Sequence, residues 1–188
     1  KSLKNTKESI AMKWPMYDTE NHPLKTFYGF NFAKSIKDFE EATAHLLVPG
    51  LNVVYADVTG NIAYFPCGVI PIRNFLSDRI LDGESGKFEW GSYITGSQRP
   101  KSINPPSGFI YTANHKHYGN VPYKIQGYWQ PFDRSSRLQK LLTQKSIYTF
   151  EDMQKIVLDD TFDGANFLTS GLFKVLEKNT QLTESEKM

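Results

Sequence analysis

The sequence is poor in cysteine, in long apolar runs and in net charge. Its single cysteine, Cys67, excludes a disulfide bridge within the chain. No apolar run approaches the ~18 residues of a transmembrane helix. No apolar signal-peptide core lies near the N-terminus, which leaves export of a longer precursor open. Because 22 Lys and Arg stand against 20 Asp and Glu, the net charge is only +2. We therefore expect neither nucleic acid nor a membrane as a partner.

Aromatic residues, by contrast, are plentiful. They make up 14% of the 188 residues, and 39% of the residues are hydrophobic. This is enough material for a sizeable core, and the length is near that of one domain. No change of composition marks an interior linker, so we expect a single globular domain over residues 1–188.

The stretch from Asn52 to Arg73 has the pattern of a β-hairpin. β-branched and aromatic residues fill positions 52–57, a Thr-Gly-Asn turn stands at 59–61, and a second strand begins at Ile62. Proline has no N–H to give to a strand ladder, and glycine weakens a strand. We therefore expect the pairing to end at three such residues, Pro66, Gly68 and Pro71.

Several other elements follow from periodicity and from capping residues. Apolar residues at helical spacing, with Ser35 and Thr149 as N-caps, predict a set of helices. These cover 36 to before Pro49, 134–144, 150–158 and 165–178, with Met153, Ile156 and Val157 on the buried side of the third. Short strands are expected at 10–17 and 109–113, and a long ordered loop at 74–103.

Three blocks of sequence carry a family resemblance. The first reads Asn-x-x-Tyr-Ala-Asp-x-x-Gly-Asn-Ile from Asn52, and its Gly-x-x-Pro-x-Arg tail ends at Arg73. The second, Asn-Pro-x-x-Gly-x-Ile-x-Thr-Ala-Asn, occupies 104–114, and a weaker third block runs through the arginine-rich segment 133–142 to Thr-Phe-Glu-Asp at 149–152. In this order they resemble the β-subunit of the penicillin acylase family. Three ordered blocks are far more specific than any one alone.

The resemblance implies an N-terminal-nucleophile hydrolase. The implied fold is α+β, as part of an αββα sandwich in which antiparallel strands accompany a helical layer. The β-subunits of the family extend beyond both ends of the matched segment. We therefore expect this chain to be an internal fragment of a longer β-subunit, with the remaining α- and β-subunit segments as its partners and with open sheet edges in their absence.

The implied reaction is hydrolysis of the linear amide bond of a small N-acyl compound, such as the side chain of a β-lactam. In the family an N-terminal Ser attacks the carbonyl, with its own α-amino group as base. Lys1 occupies that position here, so we expect the chain alone to be inactive. Asn52 matches the asparagine that stabilises the oxyanion, and Arg73 matches the arginine that orients catalytic groups or meets a substrate carboxylate.

No cofactor is assigned. Some members of the family bind calcium, and the resemblance makes Asp57 a candidate oxygen ligand in a parent enzyme. From the residues alone, Asp57 is better explained as an acceptor of N–H groups in its own turn. His115 and His117 lack the Cys or carboxylate cluster that would complete a zinc set, so no metal ligand is assigned. His115 also stands where the family often has a second Asn.

A second hypothesis comes from the aromatic loop between Tyr118 and Phe132. Aromatic density of this kind is found in surfaces that bind a sugar or an acyl group, so the chain could be a non-catalytic binding module. The same residues also fit a loop that is pinned by its own aromatic side chains.

Overall fold

The computed structural model describes residues 9–116, 121–178 and 183, without the side chains of 166 and 167. The described residues form two compact units. The first contains those up to Ile110 together with 121–128, and the second contains 111–116 and those from Trp129 onward. The single-domain organisation of residues 1–188 stays a prediction.

The first unit is built on a three-stranded antiparallel sheet. Strands β1 (Leu51–Ala56) and β2 (Ile62–Cys67) form the predicted hairpin, and β5 (Ser102–Ile103) pairs with the other edge of β2. A separate two-stranded sheet joins β3 (Ile70–Pro71) to β4 (Tyr93–Ile94). The strands β4 and β5 lie within or at the end of the segment predicted as a loop.

The prediction that Pro66 ends the hairpin is wrong, because β2 continues through Pro66 to Cys67. Ile62 directs both its N–H and its carbonyl toward Asn104, on the β5 side of the strand. Backbone groups alternate between the two edges of a strand, so the nitrogen of Pro66 also faces the β5 side. On that side the pairing with β5 extends only as far as Tyr64, which lies opposite Ser102. The missing N–H of Pro66 therefore costs no hydrogen bond between strands.

A helix covers one face of this sheet. Helix α2 (Ile36–Thr43) begins at Ser35, whose hydroxyl accepts a hydrogen bond from the N–H of Asp38, as predicted. Phe39 of α2 has its ring centroid 4.9 Å from that of Tyr55 and 6.3 Å from that of Phe65. The sheet face that carries Tyr55 and Phe65 is therefore the helix-covered face.

Helix α1 (Pro23–Phe32) was not expected from the sequence. It packs on α2 through the stacked rings of Phe30 and Phe39, whose centroids lie 4.2 Å apart. The predicted strand at 10–17 is wrong, because a 3₁₀ turn over Pro15–Tyr17 is present instead. The predicted strand at 109–113 is also wrong, and the carbonyl of Ala113 is bound by the Arg134 guanidinium rather than by another strand.

The described part of the second unit contains three helices, at nearly the predicted positions. They are α3 (Phe132–Leu142), α4 (Phe150–Val157) and α5 (Asp163–Glu177). Thr149 and Asp152 form the reciprocal capping box at the start of α4. Arg137 of α3 makes a two-pronged ion pair with Asp159, at 2.8 and 2.6 Å. The expected burial of the α4 apolar side is wrong for two residues, since Met153 is 42% and Val157 79% exposed.

Candidate functional site

Asn52 lies on the sheet face opposite helix α2. Residues paired across a sheet share a face, and neighbours along a strand alternate. The pairing of Asn52 with Pro66, and of Val54 with Tyr64, therefore puts these side chains on the face away from Phe39. Asn52 is exposed there. This exposure allows its side chain to meet a ligand.

The amide of Asn52 is held by Tyr64. The Tyr64 hydroxyl donates a hydrogen bond of 2.7 Å to Oδ1 of Asn52, and the tyrosine is only 4% exposed. Tyr64 is the diagonal neighbour of Asn52 across the hairpin, a distance that an aromatic side chain can span. With Oδ1 occupied, the free hydrogen-bonding group of the amide is Nδ2. No acceptor for Nδ2 is present among residues 9–116, 121–178 and 183.

Arg73 follows β3 and is held by Ser77 and Gln126. Its guanidinium donates to the Ser77 hydroxyl at 2.8 Å and to the Gln126 carbonyl at 3.0 Å. The side-chain amide of Gln126 donates in return to the carbonyls of Arg73 and Phe75, at 3.2 and 2.6 Å. These hydrogen bonds to both the guanidinium and the backbone carbonyl of Arg73 fix the position of the side chain.

The surroundings of Arg73 leave its charge without an acidic partner in the described part of the chain. The guanidinium lies 6.0 Å from the ring centroid of Trp90, and the Lys13 ammonium lies 5.6 Å from the same ring. Burial lowers the pKa of Arg73. Its Nε is buried and has no hydrogen-bond partner among the described residues. An unsatisfied buried N–H is uncommon in proteins and favours a ligand or another segment as its acceptor.

The two predicted site residues stand in different parts of the first unit. Asn52 belongs to the three-stranded sheet, whereas Arg73 lies between the two strands of the other sheet, two residues after the end of β3. No hydrogen bond joins them in the described structure. Each therefore has its own support, Tyr64 in one case and Gln126 in the other.

Asp57 serves the hairpin turn. Its carboxylate accepts hydrogen bonds from the backbone N–H and hydroxyl of Thr59, from the N–H and amide of Asn61, and from the hydroxyl of Tyr55. The hydroxyl of Thr59 and the amide of Asn61 hold the pKa of Asp57 well below its usual range. Both oxygens are thus engaged by turn donors. The hydrogen bonds of Asp57 within the described residues agree with its interpretation as a turn residue, and calcium binding by a parent enzyme stays a prediction.

His115 is buried and stacks on Tyr111, with ring centroids 5.2 Å apart. His117, its suggested companion in a metal site, lies outside the described residues. Within the described ranges, no three His, Cys, Asp or Glu side chains come together as a possible metal site. The same ranges contain no helix both long and apolar enough to cross a bilayer.

The aromatic loop is partly outside the described residues, because Tyr118 is not described. In the described part, the Tyr123 hydroxyl donates to the carbonyl of Gln98 at 2.6 Å, which pins that ring to the first unit. Tyr128 is fully exposed. The binding-module hypothesis stays a prediction.

Sequence reasoning missed the two supporting residues, Tyr64 and Gln126. The signal for Tyr64 was present, because the hairpin register puts it on the same face as Asn52. Gln126 had no such signal, since it is 53 residues from Arg73 and no strand pairing links the two.

The family model for penicillin amidase matches residues 2–187. Penicillin G acylase of Escherichia coli is 31% identical over 110 residues, which are 57% of this chain and 13% of that protein. The acyl-homoserine lactone acylase QuiP of Pseudomonas aeruginosa is 25% identical over 143 residues, which are 73% of this chain and 16% of that protein. The chain thus spans about a sixth or less of the length of these relatives.

A solved structure is similar as well. Thermostable penicillin G acylase from Alcaligenes faecalis superposes with a TM-score of 0.57 at 22% identity, over 71% of this chain and 25% of that chain. At this identity the likeness shows the fold. It confirms the predicted α+β class, in which antiparallel strands accompany helices.

Proposed function

We propose that this chain, which belongs to the penicillin amidase family, forms part of an amidohydrolase. The proposed enzyme cleaves the linear amide bond of a small N-acyl compound. The similar proteins are named as acylases of penicillin G and of acyl-homoserine lactones. The bond common to such acylases is the one between an acyl carbonyl and nitrogen.

In this proposal Asn52 stabilises the oxyanion of the tetrahedral intermediate. The single observation that carries the assignment is the hydrogen bond from Tyr64 to Oδ1, which leaves Nδ2 of an exposed amide as the outward donor. A donor at about 2.7–3.1 Å from the developing oxyanion lowers the barrier most when it is held rigidly. A paired strand with a buried supporting phenol meets that requirement.

Arg73 is proposed to act beside the reacting bond through the guanidinium N–H groups that no described residue accepts. Its buried Nε lacks an acceptor among the described residues, and no described carboxylate neutralises the guanidinium. Such a group either orients a catalytic side chain or binds a carboxylate on the substrate, because planar guanidinium donors match carboxylate oxygens. The two roles differ in kinetics. The first affects kcat, and the second affects KM chiefly for substrates that carry a carboxylate.

The proposed partners are further segments of an acylase polypeptide. The chain spans only 13–16% of the length of the two relatives described above. On the sheet face that carries Asn52, Val54 is 52% exposed, and the outer edge of β1 pairs with no strand among the described residues. A covering segment would bury that apolar surface and supply the missing strand partner.

The test is hydrolysis of a chromogenic phenylacetyl anilide by a polypeptide of the relatives' length that contains this chain, with the chain alone assayed beside it. Asn52→Ala should lower kcat by on the order of 10²-fold, with the protein still folded. Val58→Ala is the matched control, because it truncates a fully exposed side chain in the turn of the same hairpin and should keep turnover within about threefold. If Asn52→Ala turns over as fast as this control, Asn52 is not an oxyanion donor.

A further inference from the structure

We infer that Tyr64 is a positioning residue that selects which end of the Asn52 amide faces the substrate. This inference rests on the proposed oxyanion role of Asn52 and adds a second residue to it. An amide side chain has a donor end and an acceptor end of nearly equal shape. Only the Nδ2 end stabilises an oxyanion, whereas Oδ1 in the same place would repel it. Some neighbour must therefore favour one orientation.

Tyr64 is well suited to make that selection. Its hydroxyl donates to Oδ1 of Asn52 at 2.7 Å, which is the usual length for a good O–H···O bond. The ring is held in the core, at 4% exposure, so the hydroxyl cannot follow the amide if the amide turns outward. Because the phenol is rigid and the asparagine is exposed, the less mobile partner sets the orientation of the more mobile one.

The strand register explains why this pair forms. Val54 stands directly opposite Tyr64, and Asn52 stands opposite Pro66, one pair farther along the same face. Tyr64 reaches diagonally toward Asn52. The β5 strand pairs with β2 at Tyr64 and thereby fixes the backbone from which the phenol projects. The chain thus builds the support for Asn52 from the centre of its sheet.

The direction of the hydrogen bond from Tyr64 to Asn52 predicts the effect of the substitution Asn52→Asp on turnover. The aspartate would still accept the Tyr64 hydroxyl, but its outward atom would be an anionic oxygen in place of an N–H donor. We expect turnover to fall at least as far as in Asn52→Ala, on the order of 10²-fold or more. If Tyr64 instead accepted from Nδ2, Oδ1 would already face outward, and Asn52→Asp would retain most of the wild-type turnover. That result would overturn the inference.

The direct test is a double-mutant cycle on the anilide substrate, in the same acylase-length polypeptide. Tyr64→Phe keeps the buried ring and removes only the hydroxyl, so kcat should fall roughly five- to twentyfold with KM within about twofold, as expected from losing one hydrogen bond. In the Asn52→Ala background the same change should have no further effect, because Tyr64 acts through Asn52. Equal losses in both backgrounds, or no loss in either, would contradict the positioning role.

Tyr55→Phe is the matched control for the cycle. Tyr55 belongs to the same hairpin, and its hydroxyl donates to Asp57 at 2.9 Å, but it projects from the helix-covered face. We expect Tyr55→Phe to lower the stability of the protein and to leave both kcat and KM close to their wild-type values. If Asn52→Ala itself keeps full turnover, the oxyanion assignment fails first. If Asn52→Ala is slow and Tyr64→Phe is not, only the positioning inference fails.

Discussion

Gly68 packs directly against Gly50 where the chain leaves β2. A methyl group built on Gly68 would lie 2.8 Å from the Cα of Gly50, which is closer than real Cβ contacts come. Gly68 also has a φ of +106°, a conformation that L side chains rarely adopt. The close approach lets the N–H groups of Gly68 and Val69 bond the carbonyls of Leu46 and Leu47. This contact joins the hairpin to the segment that follows α2.

The first prediction compares two glycines with positive φ. Gly60, in the hairpin turn, has a φ of +89° and open space where a Cβ would stand. Gly60→Ala should cost about 1 kcal/mol of unfolding free energy from backbone strain alone. Gly68→Ala should cost about 3 kcal/mol or more, because the steric clash adds to that strain. Equal losses in urea unfolding would show that the contact with Gly50 relaxes freely.

The second prediction concerns Arg99, a buried cation of the first unit. Its guanidinium donates to the carbonyls of Gly96, Thr43 and Gly68, at 3.2, 3.4 and 3.3 Å, and it is only 6% exposed. Arg99→Met should leave buried carbonyls without donors and reduce the unfolding free energy by about 3 kcal/mol. Arg99→Lys should recover only part of this loss, because one ammonium cannot reproduce the fork.

The control for Arg99 is Arg79→Met. Arg79 pairs with its neighbour Asp78, and both side chains are more than 60% exposed. Exposed pairs of this kind contribute little, so the change should stay within about 0.5 kcal/mol. If chemical denaturation gives the two substitutions similar effects, the three carbonyl contacts do not hold the first unit together.

The third prediction is a pH dependence of stability due to Asp57. Its pKa in the folded chain is lowered by the Thr59 hydroxyl and the Asn61 amide. Above the unfolded pKa of about 4 the ionised carboxylate contributes its full stabilisation, which is lost as the pH falls through the lower folded pKa. Asp57→Asn should therefore unfold at lower denaturant concentration near pH 7, and its difference from the wild type should shrink below about pH 4.

Asp160→Asn controls for the general effect of removing a carboxylate, because Asp160 is exposed. Its denaturant midpoint should follow that of the wild type across the same pH range. A difference between Asp57→Asn and the wild type that stays constant down to pH 2 would mean that the turn does not depend on ionisation of Asp57.

Much of the fold could be predicted where its determinants are local. The turn after β1 is specified by Asp57, Thr59 and Asn61, which lie within five residues of one another. Ser35 and Thr149 likewise mark the starts of their helices as N-caps, through hydrogen bonds to residues three positions later. The hairpin register then follows from the turn. The fold class and family came from ordered motifs and not from periodicity.

The missed elements depend on contacts distant in sequence. Helix α1 has apolar and aromatic residues on several sides, so no amphipathic period marks it, and Gly29 lies against Ala42 of α2, where a methyl would come within 2.6 Å of the alanine Cβ. The run 109–113 has strand-like composition but no strand pairs with it in the described structure. The support of Arg73 by Gln126 likewise spans 53 residues. Composition alone carries no information about such partners.

The central claim is that Asn52 stabilises a developing negative charge, and a transition-state analogue tests it most directly. An anionic phosphonate analogue of the anilide carries a tetrahedral oxyanion, whereas a neutral, uncleaved amide of the same acyl group resembles the ground state. Asn52→Ala should weaken inhibition by the phosphonate by on the order of 10²-fold and leave binding of the neutral amide within about twofold. If both inhibitors weaken equally, or neither does, Asn52 does not stabilise the oxyanion.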